Sequence, residues 1–303
     1  MVLKPPQQAP ITSLKLAELC YEAGLPPKAL SVLHSTPEVA EPLVQDDRFK
    51  LLSFTGSARV GWHLKSIAGK KKVVLELGGN AGAIVHSDAD LEWAIERCTV
   101  GGYAFAGQVC ISVQRILIHR PIYDGFCERL VAETEKLGVG DPMDDGTVIA
   151  PLIEEKHAAR VIDWIEEAEA DGATVLTGKK REGSVVWPTV LADTKPDMKV
   201  ECEEIFGPVV TVRPYDDFAV AVKIVDDSVY GLQAGVFTHD IRLIHHAYTD
   251  LEVGGLIVND YPTMRVDNFP YGGVKNSGLG REGVKYTLQD YTEPRALVMD
   301  LKH

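Results

Sequence analysis

Short apolar runs alternate with helical patterns along most of this 303-residue chain, and that alternation limits its possible folds more than any other feature. Phe49 to Phe54 reads as a buried strand, Thr55-Gly56-Ser57 as a turn, Ala58 to Ile67 as a helix and Val73 to Leu77 as a strand. The pattern repeats with strand Ala83 to Val85, helix Asp88 to Phe105, strand Val113 to Ile118 and helix Tyr123 to Leu137. Consecutive strands joined through helices pair in parallel, with the helices covering the sheet. The expected class is therefore α/β with a largely parallel sheet.

The flanking segments fit the same scheme. Near the start, Thr12 or Ser13 can cap a helix that stops near Gly24, followed by strand Leu30 to His34 and helix Pro37 to Gln45. Beyond Leu137 come an amphipathic helix, Glu154 to Ala170, and a hairpin-like stretch, Thr174 to Leu191. Helix Phe218 to Val225, strand Ala234 to Thr238, helix Ile241 to Tyr248 and strand Gly255 to Asn259 continue the alternation. A glycine-rich loop, Tyr271 to Gly280, leads to a last helix, Glu282 to Leu288, and a strand-like tail, Arg295 to Asp300.

The length allows two domains. The net charge of −13 argues against a nucleic-acid or membrane-surface partner. Five cysteines at irregular spacing (Cys20, Cys98, Cys110, Cys127 and Cys202) fit free thiols in a reducing cytoplasm, and no pair resembles a metal knuckle, so no metal is expected. There is no signal-peptide pattern and no apolar run long enough to span a bilayer.

Chemistry concentrates in a few stretches. Gly107-Gln108-Val109-Cys110 places a thiol at a helix-to-strand joint, and Leu75-Glu76-Leu77-Gly78-Gly79 places one carboxylate in an apolar strand. Cys110 and Glu76 are either a buried inert thiol with a strand-end acid, or a nucleophile with its general base. Gly56 and Ser57 open a helix, whose first N–H groups could receive a phosphate. Lys4 ends the first strand, a position suited to a ribose or its phosphate, or to plain solvent exposure. Glu204 could accept from ribose hydroxyls and Phe206 could stack on a flat ring; otherwise Glu203 to Val209 is an ordinary loop. Four glycines, Gly272, Gly273, Gly278 and Gly280, permit close backbone approach, and Phe269 and Tyr271 suggest that their loop is packed. Arg265 either holds an anionic substrate group or pairs with Asp267, the pair being the favoured reading.

In their order, these motifs resemble the aldehyde dehydrogenase superfamily: Lys4-Pro5, Phe54-Thr55-Gly56-Ser57, Leu75-Glu76-Leu77-Gly78-Gly79, Gly107-Gln108-x-Cys110, Glu204-x-Phe206-Gly207-Pro208 and Gly-Gly-x-Lys-x-Ser-Gly-x-Gly-Arg-Glu, ending at Glu282. The resemblance implies a partial Rossmann-type cofactor-binding domain over residues 1–78, an α/β catalytic domain over 79–278, and a C-terminal helix and oligomerisation strand over 279–303. It implies that Cys110 attacks an aldehyde, that hydride passes to NAD or NADP, and that Glu76 activates the water that hydrolyses the thioester. Lys4 and Glu204 would hold the two riboses and Ser57, with Gly56, a phosphate. Phe206 would border the nicotinamide, and Leu77 and Gly78 would also contact the cofactor. A small aldehyde substrate and a homo-oligomer follow from the same likeness.

Three departures qualify it. The family usually extends further at its N-terminus, so the likeness implies an N-terminally truncated member. The absent part would carry strands of the cofactor sheet and a Trp-Asn-Phe-Pro-like motif whose asparagine is the second oxyanion donor, and none precedes Cys110. Loss of one such donor costs on the order of 10²–10³ in rate, so impaired activity is expected. Gln7 replaces an acid that would repel a 2′-phosphate, which leaves NADP permitted. Asn80 replaces a usual lysine, with no functional consequence drawn. Tyr261 to Gly273 and Leu-Gly-Gly-Asn are similar to lactaldehyde-dehydrogenase-like branches, which take short hydroxylated or anionic aldehydes. Two further readings are a dehydrogenase that resolves the thioester with coenzyme A, and a non-catalytic subunit that binds nucleotide or a partner chain.

Overall fold

A computed structural model describes residues 1–301, so the end of the expected segment 279–303 lies outside the described residues. Residues 1–52 with 62–73 form one compact unit; residues 53–61 with those from 74 onward form another. Residue 78, the expected boundary, lies inside the larger unit.

In the smaller unit, β1 (Val2–Leu3) pairs in parallel with β2 (Ser31–Val32) across α1 (Pro10–Glu22). The expected hydroxyl cap at Thr12 or Ser13 is absent, because α1 already begins at Pro10. Proline suits a first helical position, where its missing N–H costs nothing and its φ is preset. Gly24, at φ +98°, follows the helix end. The helix α2 (Pro37–Gln45) again starts on a proline.

Next come β3 (Leu51–Thr55), α3 (Ala58–Ile67) and β4 (Lys72–Glu76). The strand β3 is not buried as expected: Ser53 and Thr55 are exposed. It is an outer strand of a three-stranded sheet, so among the described residues one of its edges has no strand beside it.

The larger unit continues with β5 (Ala81–Val85), α4 (Leu91–Tyr103), β6 (Val113–His119), α5 (Tyr123–Glu135), α6 (Glu155–Ala170), β7 (Thr174–Thr177), β8 (Arg181–Glu182), β9 (Val185–Val186) and β10 (Thr189–Ala192). It closes with α7 (Lys199–Cys202), β11 (Val209–Tyr215), α8 (Phe218–Asp226), β12 (Tyr230–Gly231), β13 (Gln233–Phe237), α9 (Ile241–Asp250), β14 (Gly255–Val258), β15 (Val274–Lys275), β16 (Gly278–Leu279) and α10 (Val284–Tyr291).

A seven-stranded sheet runs β14-β13-β5-β6-β11-β10-β7, parallel throughout except that β7 lies antiparallel to β10. Its interior strands β5 and β13 are buried at every residue, because helices cover both faces. Aspartates cap the flanking helices: Asp90 accepts from the Trp93 N–H, Asp217 from Ala219 and Asp240 from Arg242. The hairpin expected over Thr174 to Leu191 is split: β8 and β9 form it, while β7 and β10 join the main sheet.

Register aligns the amino ends of β5 and β6, Ala81 facing Val113, and β11 joins them with Thr211 facing Arg115. The segments that lead into these three strands therefore gather at one end of the sheet, and they carry Gly78, Cys110 and Glu204. The strand expected over Arg295 to Asp300 does not form. A strand needs a neighbour to satisfy its backbone groups, and no pairing is assigned to this tail among the described residues.

Candidate active site

Glu76 is the last residue of β4 and faces Gly278 of β16 in antiparallel register. The Leu77 N–H donates to the Ser277 carbonyl at 2.9 Å, and the Ser277 hydroxyl accepts from the Gly231 N–H at 2.9 Å. Ser277 is wholly buried, so the glycine-rich loop is packed structure. Glu76 is only 6% exposed, and among the described residues neither of its carboxylate oxygens has a hydrogen-bond partner. Burial, reinforced by the negative charge of Glu282, pushes its pKa up to about 8, against the opposing pull of Arg265 and Arg281.

Cys110 follows an unusual turn. Phe105, Ala106 and Gly107 all have positive φ, at 51°, 55° and 70°. The helix expected to reach Phe105 thus stops at Tyr103, and the chain reverses hand before the thiol. Left-handed backbone at non-glycine residues is strained and needs external support. Gln108 gives some: its side-chain amide donates to the Phe105 carbonyl at 3.3 Å, and its carbonyl accepts from the Ile153 N–H at 3.0 Å. The Thr263 hydroxyl donates to the Ile111 carbonyl at 2.8 Å.

Two glycines let this turn close. A Cβ on Gly79 would lie 2.1 Å from the Cys110 carbonyl oxygen, and one on Gly107 would lie 2.1 Å from that of Gly207. The cysteine loop is thus held against the Leu-Gly-Gly turn and against the Phe206-Gly207-Pro208 turn. A cavity of about 10 Å³, the scale of one water, lies there among Gly79, Gly107, Val109, Gln114, Glu204 and Phe206.

The Cys110 sulfur lies 3.3 Å from the Tyr271 hydroxyl. Burial pushes the thiol pKa up; the Tyr271 hydrogen bond lowers it, and the negative charges of Glu204 and Glu76 raise it. The Tyr271-Gly272 dipeptide touches both candidate catalytic groups, since a Cβ on Gly272 would lie 2.9 Å from Glu76 Oε1. The side chain of one residue thus reaches the thiol, and the backbone of the next passes the carboxyl.

Glu204 accepts from the Gly79 N–H at 2.9 Å. Burial pushes its pKa up to about 7, while the Gly79 hydrogen bond and the Arg160 charge hold it down. Gln114, inside β6, clamps both flanks of Glu204. Its amide donates to the Val200 and Glu203 carbonyls at 3.1 and 2.7 Å, and its oxygen accepts from the Ile205 N–H at 2.9 Å. Phe206 sits at φ 48° with its side chain partly open to solvent.

Gly56 joins the same neighbourhood through its N–H, which donates to the Glu76 carbonyl at 3.0 Å. The Ser57 carbonyl accepts from Val60 and Gly61 at the start of α3. Leu77 is buried with its methyl groups over Gly61, where a Cβ would lie 2.3 Å from Leu77 Cδ2. Lys4 belongs to the smaller unit, where its ammonium donates to the Pro5 carbonyl at 3.0 Å. Arg265 pairs with Glu282 at 3.0 Å and Asp267 at 3.5 Å, and it stacks on the Tyr271 ring at 4.2 Å. The expected Asp267 pair exists, but Glu282 is the nearer partner.

Gln114, Gly79 and Tyr271 were not singled out by sequence as site residues. A lone amide in the apolar run Val113 to Ile118 was the available signal for Gln114, because a buried amide must find partners.

The described residues hold no group of three or more His, Cys, Asp or Glu that could bind a metal, and no helix long and apolar enough to cross a membrane. The sequence matches the aldehyde dehydrogenase family pattern over residues 1–297. It is 49% identical over 302 residues to 3-sulfolactaldehyde dehydrogenase of Priestia megaterium, covering 99% of this chain and 63% of that protein. The chain thus spans less than two thirds of that relative's length. Among solved structures it is similar to aldehyde dehydrogenase 21 of Physcomitrella patens in complex with the reaction product succinate. That match has a TM-score of 0.96 and 46% identity, over 98% of this chain and 62% of that one. It is also similar to NADP-dependent glyceraldehyde-3-phosphate dehydrogenase of Bacillus halodurans complexed with NADP. There the TM-score is 0.95 at 36% identity, over 99% of this chain and 63% of that one. Backbone, motif order and whole-length similarity agree, and the chain belongs to the aldehyde dehydrogenase family.

Proposed function

We propose that this chain carries the thiol and the general base of an NAD(P)-dependent oxidation of an aldehyde to a carboxylic acid. The observation that carries the reading is Glu76: a buried carboxyl with no hydrogen-bond partner among the described residues, close enough to Cys110 for its negative charge to raise the thiol pKa. A pKa near 8 suits a base that works close to neutral pH.

The Cys110 thiolate attacks the aldehyde carbon, forming a C–S bond while the carbonyl π pair moves to oxygen. The Cys110 backbone N–H is one donor to that oxygen. A bound nicotinamide supplies the acceptor for the hydride that leaves this carbon. The resulting thioester is attacked by water as Glu76 takes its proton, and the C–S bond breaks to restore the thiolate. The residues fit such a cofactor. Glu204 is a half-buried carboxylate that keeps acceptor capacity beyond its Gly79 bond, and it would take ribose hydroxyls. Phe206 presents a partly exposed ring, and the family pattern adds Leu77 and Gly78 to the cofactor contacts. The start of α3, with Gly56 and Ser57, would take a phosphate. The family pattern alone assigns Lys4 to the second ribose. Under this reading residues 1–78 supply cofactor contacts and the general base, 79–278 the nucleophile and further cofactor contacts, and the C-terminal segment assembly.

We assign short aldehydes that carry an anionic group as substrates. The sulfonate and carboxylate in the named relatives support this. Free thiols fit a reducing cytoplasm. Exposed Leu297, Val298 and Met299 in the tail support a homo-oligomer.

The test is nucleotide reduction followed at 340 nm, with a carboxylate- or sulfonate-bearing aldehyde and either nucleotide. Cys110→Ala is expected to abolish the signal. Glu76→Gln is expected to keep a burst of about one equivalent while slowing turnover by about 10²–10⁴. Turnover of Glu76→Gln at the unchanged rate, or acyl-coenzyme A as the product, would replace this reading with the coenzyme A alternative.

A further inference from the structure

Two carboxylates, Glu76 and Glu204, act on the Cys110 sulfur and oppose its ionisation. A nucleophilic thiolate there needs a donor that offsets them. The contact in position to serve is the Tyr271 hydroxyl, 3.3 Å from the sulfur.

We propose that Tyr271 is a catalytic hydrogen-bond donor that stabilises the Cys110 thiolate, and that the Arg265 guanidinium on its ring strengthens that donor. This rests on Cys110 being the nucleophile and adds a residue to its machinery. Tyr271 is well fixed for the task. Its backbone N–H donates to the Glu282 carbonyl at 3.2 Å and its carbonyl accepts from the Glu282 N–H at 2.6 Å. Its ring is buried against Ile111 and Leu232. Burial, together with the nearby Cys110 and Glu76, drives the phenol pKa far above its ordinary value, so it stays protonated and donates. A cation over the ring face draws electron density from the phenol, which makes its O–H more acidic and a better donor. Arg265 is itself oriented by Glu282, the residue whose backbone pairs with Tyr271.

The experiment is the pH dependence of iodoacetamide alkylation, read at the Cys110 peptide by mass spectrometry. It is done on the full chain with its other cysteines in place. A hydrogen bond to a charged group is worth enough to move a pKa by about one unit. Tyr271→Phe keeps the ring and its stack but loses the O–H, so its alkylation midpoint is expected to rise by about one pH unit. Arg265→Gln is expected to raise it in the same direction by less. Fluorotyrosine inserted at position 271, which has a more acidic phenol and nearly the same shape, is expected to lower it. A midpoint unchanged in Tyr271→Phe and in the fluorotyrosine protein, both melting as the parent does, would overturn the proposal. If Tyr271→Phe does not fold, the fluorotyrosine shift alone decides. Alkylation needs neither aldehyde nor nucleotide. A shifted midpoint in a protein that oxidises no aldehyde would therefore sink only the function, and an unshifted one in an active enzyme only the role of Tyr271.

Discussion

Glu76 carries the strongest consequence at the scale of one residue. Its folded pKa of about 8 lies above the ordinary carboxylate value of 4.5. Between those values the unfolded chain has lost a proton that the folded chain retains, so stability falls as pH rises through the window. Glu76→Gln removes the titrating group and keeps the shape. Its gain in stability over the parent is expected to be small at pH 5 and to grow to on the order of 3 kcal/mol by pH 8. Thermal melts of both proteins at the two pH values measure it, and a constant difference would contradict the raised pKa. The proposed turnover has the opposite slope, rising through about pH 8 as the base loses its proton. Glu76 and Cys110 were conspicuous in sequence as a lone acid in an apolar strand and a thiol after Gly-Gln, and the structure buries the first and sets the second against Tyr271. Gln114 and Tyr271 were less so. The partners that explain Gln114 lie 86 and more residues away, and the Tyr271 hydroxyl meets a sulfur 161 residues away.

Elements whose signals are local were legible nearly to their ends. The helices α2 and α3 lie where proline and the Gly-Ser turn place them. What eluded sequence was geometry set by neighbours. The left-handed Phe105-Ala106-Gly107 turn interrupts an apolar helical pattern that gives no warning of it. Open α/β sheets commonly bind ligands at the carboxyl ends of their strands. Here Cys110, Gly78 and Glu204 lead into the amino ends of β6, β5 and β11, an arrangement that strand register reveals and periodicity does not. Glycine substitutions separate the two kinds of site. Gly107→Ala would put a methyl group 2.1 Å from the Gly207 carbonyl at φ +70°. It is expected to cost several kcal/mol, on the scale of severe core mutations, and to lower Cys110 alkylation sharply. Gly125→Ala, in α5 with nothing within 4 Å, is expected to raise stability by about 0.5–1 kcal/mol through helix propensity. Denaturant midpoints of the two variants check both.

At the scale of the molecule, family membership was readable because six motifs keep their order across the chain. The state of the tail was not, since whether a segment becomes a strand depends on what lies beside it. With Leu297, Val298 and Met299 exposed and no strand assigned, the tail suits pairing with another copy of the chain. Deleting from Arg295 onward is expected to leave the far-ultraviolet circular dichroism nearly unchanged while lowering the mass seen by light scattering to that of a monomer. An unchanged mass would assign assembly to another surface.

The neighbouring residues Tyr271 and Gly272 reach the two groups by different parts, the first through the tip of its side chain and the second through its backbone. A turn of the Tyr271 ring would take the hydroxyl off the sulfur and leave the Gly272 backbone against Glu76 unmoved. Under the proposed function, bulk added at position 272 would therefore press on the carboxyl while sparing the contact to the thiol.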